Sequence, residues 1–198
     1  NGLNGLDIKM NFIFKNLGLT LSGNKTILEG VSGEIRAGRL TAIMGPSGAG
    51  KTTFMIVLMG KVPRTHGKLY VNGRIAEMHQ FKKIIGYVPQ DDTMLRELTV
   101  YENVYHAARI KLPATWSNAE VREYVWTILS TLNLSHVAHI PIGDVNTRGI
   151  SGGQRKRTNI ALELAAIPLA IFLDEPTSGL DATSALTVTQ TLKSLSRL

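Results

Sequence analysis

A glycine-rich octapeptide between an apolar strand and an apolar helix constrains this chain more than any other feature. Residues 45–52 read Gly-Pro-Ser-Gly-Ala-Gly-Lys-Thr, between the predicted strand Leu40–Met44 and the predicted helix Thr52–Met59. Glycines let backbone N–H groups turn inward around a phosphate, and the N-terminus of the helix adds partial positive charge. The pattern G-x-x-x-x-G-K-[ST] in this context predicts a phosphate-binding loop in an α/β fold rather than a ligand-free glycine turn.

This loop supplies the first set of predicted nucleotide-binding residues. We expect Lys51 to reach the β- and γ-phosphates and the Thr52 hydroxyl to ligate Mg²⁺. The full set is Gly45, Pro46, Ser47, Gly48, Ala49, Gly50, Lys51, Thr52 and Thr53.

Two acidic residues follow a second apolar run, Leu169–Leu173. A buried parallel strand of this kind delivers its next residues to the edge of the sheet where ligands bind. We therefore expect Asp174 to hold Mg²⁺ and Glu175 to orient and polarise the attacking water. On their own, the same two acids are equally consistent with a cap on the following helix.

Composition excludes several classes of protein. The 198 residues are 43% hydrophobic, enough for one core with an inserted lobe, and the absence of cysteine excludes disulfides and thiolate metal sites. The longest apolar run, Leu164–Leu173, is interrupted by Pro168 and is shorter than the ~20 residues of a membrane helix. The net charge of +7 favours anionic partners in general. We expect the basic runs Lys82-Lys83 and Arg155-Lys156-Arg157 to be solvated.

Periodicity divides the rest of the chain into a strand-rich N-terminal part and a helical part. Apolar residues alternate over Lys9–Leu21 with one break near Asn16, and Ser117 with Glu120 predicts a helix N-cap. The further predicted strands are Ile27–Ile35, Leu69–Val71 with a hairpin turn at Asn72-Gly73, and Ile84–Val88; the helical segments are Leu98–His139, Gly152–Ala166 and Ala182–Leu198.

The segment Ile150-Ser151-Gly152-Gly153-Gln154 separates this chain from other phosphate-loop proteins. A serine and two glycine N–H groups at a helix N-terminus form an anion site. The segment resembles the signature motif of ABC ATPases. The resemblance implies that Ser151, Gly152, Gly153 and Gln154 bind the γ-phosphate held by the opposite domain of a head-to-tail dimer.

Two further segments resemble the same family. Gln90 is similar to the Q-loop glutamine that touches Mg²⁺ and the attacking water, and Ser178-Gly179-Leu180-Asp181 resembles the D-loop, with Asp181 at the dimer interface. Asp181 also suits a cap of the last helix. The motifs from Leu98 to Asn103, Arg148 to Arg157 and Asp174 to Asp181 resemble the G subfamily of white-type and pleiotropic drug-resistance transporters.

The resemblance implies a two-lobed α/β P-loop fold with a mainly parallel core sheet, an N-terminal antiparallel β subdomain and a helical lobe at about 92–160 within one domain, 1–198. It also implies ATP and Mg²⁺ as ligands, Glu175, Lys51 and Gln90 as catalytic residues, and Thr52, Gln90 and Asp174 as metal ligands. The expected partners are a second nucleotide-binding domain and a transmembrane domain, at the cytosolic face of a membrane, with no nucleic acid. The alternatives are a soluble ABC ATPase of translation or DNA repair and a non-enzymatic, nucleotide-gated dimerisation module.

The sequence departs from the family in two places. No aromatic residue lies between Leu19 and Gly38 to stack on adenine, and Phe12 and Phe14 are expected in the core, so we expect tolerance of GTP. No histidine follows Asp181, where the family places one on the γ-phosphate. We therefore expect this stretch of chain to lack a C-terminal switch region, and to bind nucleotide but hydrolyse it slowly or not at all. A normal steady-state ATPase rate from this stretch would contradict that expectation.

Overall fold

A computed structural model describes residues 9–144 and 148–197, which divide into two compact units. One unit contains the described residues up to Ile85 together with Ser196 and Arg197, and the other contains those from Gly86 to Leu195. Within the described ranges, no helix is both long and apolar enough to cross a bilayer. The mixed α/β class predicted from the sequence is confirmed.

The first unit is built on a four-stranded antiparallel sheet. Its strands occur in the order β2-β1-β3-β4. Their bounds are β1 Phe12–Leu21, β2 Lys25–Ile35, β3 His66–Val71 and β4 Arg74–Ile75. The β3–β4 hairpin turns at Asn72 and Gly73, whose φ values of 50° and 79° confirm the turn predicted from this dipeptide.

The break in the alternation of β1 corresponds to a bulge. The pairing of β1 with β2 shifts register between Phe14 and Leu17, and Asn16 between them has a φ of 53°. The bulge keeps the apolar face of β1 inward, since Phe12 is 2% exposed and Leu17 1%. The Phe14 ring contacts the ring of Phe54, with centroids 5.2 Å apart, and Phe54 lies on helix α1 (Lys51–Leu58).

The predicted strand Leu40–Met44 is wrong. The segment belongs to neither sheet among the described residues, and Leu40, Ile43 and Met44 are 43, 37 and 89% exposed. A strand is defined by a ladder of backbone hydrogen bonds to a neighbour. The apolar run gives the segment its extended preference, but it cannot specify that neighbour.

The second unit packs four helices around one apolar core. The helices are α2 Val100–Lys111, α3 Asn118–Thr131, α4 Gly152–Leu164 and α5 Ala182–Leu195. α5 ends earlier than predicted, and Leu198 lies outside the described residues. Fully buried side chains such as Val104, Leu129 and Ile160 come from different helices and form one cluster.

Local capping fixes where three of these helices begin. The side chains of Thr99, Ser117 and Ser151 each accept a hydrogen bond from the backbone N–H three residues on. The side chain at that third position accepts a hydrogen bond from the backbone N–H of the capping residue. Such capping boxes satisfy N–H groups that the first turn leaves unpaired. The cap predicted at Ser117 with Glu120 is confirmed.

Strands β5 (Ile85–Val88) and β6 (Ala170–Leu173) form a second, two-stranded sheet. They agree with the two buried strands predicted at these positions. The Asp174 N–H donates to the Val88 carbonyl oxygen at 2.9 Å, so the two strands end side by side. The residues that follow each strand are therefore neighbours.

Tyr124 makes the stability of the second unit depend on pH in the alkaline range. Its hydroxyl donates to the Leu164 carbonyl oxygen at 2.7 Å, and burial raises the pKa of Tyr124 to about 12. We expect Tyr124→Phe to lower the free energy of unfolding by about 1 kcal/mol at pH 8, because one hydrogen bond is lost.

Above the ordinary tyrosine pKa of about 10, the unfolded chain ionises while folded Tyr124 keeps its proton, so the folded state loses stability as pH rises towards 12. Phenylalanine has no such loss, and the difference between the two proteins should shrink over this window. Urea unfolding at pH 8, 10 and 11 measures it, and a difference that stays constant would contradict the prediction.

Candidate functional site

The phosphate-loop residues predicted from sequence form an exposed turn that leads directly into α1. Gly48 and Gly50 have φ values of 78° and 85°, which only glycine adopts without strain, and Gly50 is the N-cap of the helix. No side chain caps α1, and its first turn carries no acid. The helix N-terminus therefore keeps N–H groups and positive potential for an anion.

Lys51 lies over this turn. Its Nζ donates to the carbonyl oxygens of Gly45 and Pro46 at 3.1 and 2.9 Å. Carbonyl oxygens are weaker partners for an ammonium than charged phosphate oxygens are. The lysine is thus held at the loop by bonds that an anionic ligand can replace.

Asp174 is the first residue after β6 and is only 9% exposed. The Tyr87 hydroxyl on β5 forms a hydrogen bond with it. Burial raises the pKa of Tyr87, and the negative charge of Asp174 and the hydrogen bond raise it further. Asp174 thus presents a carboxylate at the end of the β5–β6 sheet.

Glu175 and Gln90 contact each other at the same end of this sheet. The Gln90 Nε2 donates to the Glu175 Oε2 at 3.2 Å. Glu175 is exposed and has a φ of 44°, in the left-handed region, although Pro176 follows it. A residue before proline favours extended backbone, so this conformation is strained. The structure brings these two predicted catalytic residues together.

The residues of the signature-like segment begin α4. The Ser151 N–H donates to Gln154 Oε1 at 2.8 Å, and the Gln154 N–H donates to Ser151 Oγ at 3.3 Å. A Cβ on Gly153 would lie 3.0 Å from the Ser184 Cβ, so a larger residue there requires α5 to give way. The first turn of α4 contains no acid. This second helix N-terminus also has the electrostatics of an anion site.

Asp181 caps α5, which confirms one of the two roles predicted for this residue. Its Oδ1 accepts from the N–H groups of Thr183 and Ser184, both at 3.0 Å. Hydrogen bonds from Ser184, chiefly from its side chain, hold the pKa of Asp181 below its usual value. The second predicted role of Asp181, a contact with a partner domain, stays a prediction.

The expectation that Arg155-Lys156-Arg157 forms a solvated face is wrong. Lys156 and Arg157 are only 6 and 7% exposed, and burial lowers the pKa of Arg157. The run lies on α4, where helical geometry turns consecutive residues towards different sides. Packing of α4 then buries basic side chains that the sequence alone predicts to be exposed to solvent.

One neighbour of the signature-like segment has no signal in the sequence. The ring Nε2 of His136 lies 3.3 Å from the Gln154 Nε2. Gln154 Oε1 is already bonded to Ser151, so the His136 nitrogen acts as the acceptor in this pair. A single histidine is ordinary in a sequence, and only the fold shows what it contacts.

The predicted metal ligands have suitable chemistry for Mg²⁺. Thr52, Gln90 and Asp174 offer a hydroxyl, an amide and a carboxylate, and this ion prefers oxygen donors with few protein carboxylates. Among residues 9–144 and 148–197, no group of three or more His, Cys, Asp or Glu side chains is arranged to hold a metal by itself. Phe12 and Phe14 are buried as expected, which leaves neither for an adenine ring.

Comparison with known proteins agrees with these motifs. The family model described as ABC transporter matches residues 28–178. ABC transporter G family member 28 of Arabidopsis thaliana is 45% identical over 197 residues, 96% of this chain and 18% of that protein. The ABC-type transporter claG of Penicillium crustosum is 46% identical over 166 residues, 84% of this chain and 22% of that protein. The chain thus spans about a fifth of the length of these curated relatives.

A solved structure shows the same fold. It is cbiO1 from Clostridium perfringens, described as part of the ABC transporter complex cbiONQ, with a TM-score of 0.80 and 24% identity, covering 94% of this chain and 73% of that one. The structural likeness and the family match over most of the sequence agree. The chain belongs to the ABC transporter family, and the relatives that it resembles in sequence include members of the G group.

Proposed function

We propose that this chain binds ATP with Mg²⁺ and that, within the natural polypeptide that contains it, its residues hydrolyse ATP to ADP and phosphate, as part of the nucleotide-binding domain of a membrane transporter. Residues 1–198 all belong to this domain in our proposal, with a helical lobe at about 92–160. The observation that carries the proposal is the uncapped, acid-free N-terminus of α1 with Lys51 bonded across the preceding loop.

The phosphate loop binds the charged end of ATP. Backbone N–H groups of the loop 45–53, with the exception of Pro46, surround the phosphate oxygens, and Lys51 exchanges its two carbonyl partners for oxygens of the β- and γ-phosphates. Thr52, Gln90 and Asp174 would hold Mg²⁺, which would neutralise charge on the phosphates. These residues orient ATP and stabilise the charge that develops during phosphoryl transfer.

Glu175 is the proposed general base. Its carboxylate accepts a proton from water as the water oxygen bonds to the γ-phosphorus, and the bond from that phosphorus to the bridging oxygen breaks, leaving ADP. The Gln90 amide donates to one oxygen of Glu175, which restricts the carboxylate and leaves the other oxygen for water. This geometry suits hydrolysis rather than binding alone.

A second nucleotide-binding domain completes each site. We assign Ser151, Gly152, Gly153 and Gln154 to the γ-phosphate of the ATP bound by the partner, with Asp181 contacting the partner at the interface. The acid-free N-terminus of α4 supports this assignment, because a bound phosphate there meets positive potential and no carboxylate.

Membership of the family supports a role in transport. In this proposal, ATP-driven closure of two such domains moves transmembrane domains, in this polypeptide or a partner, and this chain lies at the cytosolic face of a membrane. The names of the relatives as G family transporters support a transporter role, and the description of cbiO1 as part of a transporter complex supports transmembrane partners.

Two substitutions separate binding from hydrolysis. In the natural polypeptide that contains this sequence, Lys51→Met should weaken binding of a fluorescent ATP analogue and abolish phosphate release, because the phosphates lose their cation. Glu175→Gln should keep binding while lowering kcat by about 100-fold or more, because only proton acceptance is lost.

Lys82→Met is the matched control, since it removes an equal charge from an exposed position. It should leave both measurements unchanged. Full turnover in Glu175→Gln would remove Glu175 from the chemistry, and unchanged binding in Lys51→Met would overturn the nucleotide site itself.

The strained backbone at Glu175 predicts that glycine at this position gives a more stable protein than alanine does. Glu175→Gly and Glu175→Ala should both be inactive, but the glycine variant should be more stable by about 1 kcal/mol, because glycine adopts positive φ freely. Urea unfolding measures the difference.

The nearby exposed Ser178 serves as control, because its φ is not positive. There, Ser178→Gly should be less stable than Ser178→Ala. The same order at both positions would show that residue 175 carries no backbone strain.

A further inference from the structure

The segment that follows β5 is fastened to one side of α4. The Lys156 Nζ donates to the backbone carbonyl oxygen of Gln90 at 2.7 Å. Lys156 is 94% buried, being only 6% exposed. Taking an ammonium out of water is costly unless strong acceptors meet it, and apolar side chains of similar size pack more cheaply. A buried lysine whose ammonium binds this carbonyl suggests a role beyond packing.

Asn159, one helical turn further along α4, holds the next residues. Its Nδ2 donates to Asp92 Oδ1 at 2.8 Å, while its Oδ1 accepts from the N–H and the Oγ1 of Thr93, both at 3.2 Å. Asn159 is 1% exposed, so these bonds are shielded from water. Arg155 adds a longer ion pair, with its Nε 3.7 Å from Asp92 Oδ2.

These contacts form a polar clamp, defined as Lys156 and Asn159 on α4 with Gln90, Asp92 and Thr93. Lys156 and Asn159 are three residues apart and so project from the same side of the helix. The clamp fixes the backbone of Gln90, and the side chain of Gln90 in turn bonds Glu175. A continuous chain of contacts runs from α4 to the carboxylate.

We propose that Lys156 and Asn159 are positioning residues, which act through the backbone of segment 90–93 to hold Gln90 against Glu175. This inference rests on the proposed function, because it assumes that Glu175 activates water. α4 begins at Ser151, so the same helix that faces the partner's nucleotide fixes the group that orients the base. A shift of α4 is thereby transmitted to Gln90.

A double-mutant cycle in the natural polypeptide tests the route through Gln90. Lys156→Met should lower kcat by about 10- to 100-fold with KM for ATP nearly unchanged, since misplacing a catalytic group affects the reaction more than binding. In a Gln90→Ala background, Lys156→Met should lower kcat by less than about 2-fold, because the side chain that it positions is already gone.

Lys111→Met is the matched control. Lys111 also donates to a backbone carbonyl, that of Leu162 at 2.8 Å, and it pairs with Glu163 Oε1 at 2.9 Å, but it contacts no residue of the clamp. Its effect should be the same in both backgrounds. An equal loss from Lys156→Met in both backgrounds, or a raised KM with unchanged kcat, would overturn the positioning role.

A second test compares hydrogen exchange, which needs no nucleotide, with kcat, and it guards against simple misfolding. Asn159→Asp puts a carboxylate opposite Asp92 and should speed hydrogen exchange at the amides of segment 90–93. Adding Asp92→Asn exchanges the amide and the carboxylate, which restores a donor–acceptor pair, and should recover both slow exchange and kcat. If the double variant stays as impaired as Asn159→Asp alone, the clamp is not the cause.

The two proposals fail in different ways. The proposed function would be overturned if the unsubstituted protein did not turn over ATP and the Lys51→Met variant bound ATP as well as the unsubstituted protein does. Hydrogen exchange in the nucleotide-free protein still tests the clamp in that case, and unchanged exchange in Asn159→Asp would overturn the clamp while ATP hydrolysis stands.

Discussion

The packing of α4 is the constraint on which the second unit depends. Ile160 and Ala161 are fully buried in the core shared with α2 and α3, and Asn159 beside them is almost fully buried. A helix with so much of its surface inside cannot shift without disturbing either apolar contacts or shielded hydrogen bonds. The cap at Ser151 and the contact of Lys156 with Gln90 therefore depend on the packing of the same helix. Stability and site geometry are not separable along this helix.

The helix N-termini fall into two electrostatic classes. α2 and α3 carry Glu102 and Glu120 in their capping boxes, and α5 is capped by Asp181, so a carboxylate meets the positive end of each of these helices. α1 and α4 carry no acid in the first turn, and Gln154 occupies the place in the α4 box that a glutamate takes elsewhere. Since a helix N-terminus attracts negative charge, these are the two ends that we propose as sites for an external anion.

Local patterns predicted much of this arrangement, because their physics is contained in a few consecutive residues. The loop before Lys51, the cap at Ser117 and the hairpin at Asn72 all depend on backbone preferences and bonds within four residues. Prediction failed where the outcome depends on distant partners. Leu40–Met44 has the composition of a strand but no ladder, and Lys156 is buried by packing that no local pattern encodes. The contacts of His136 and Asn159 are invisible for the same reason.

The bond from Lys156 reaches the main chain of residue 90 and not its side chain. Every amino acid presents the same carbonyl oxygen, so this anchor does not depend on which residue occupies the position. Mutational drift can therefore replace the glutamine side chain while the path of the backbone stays as it was. Loss of the lysine has the opposite effect, since the glutamine remains but one of the bonds that hold its backbone is gone. Among related sequences, the identity of residue 90 and the integrity of its support can thus evolve independently.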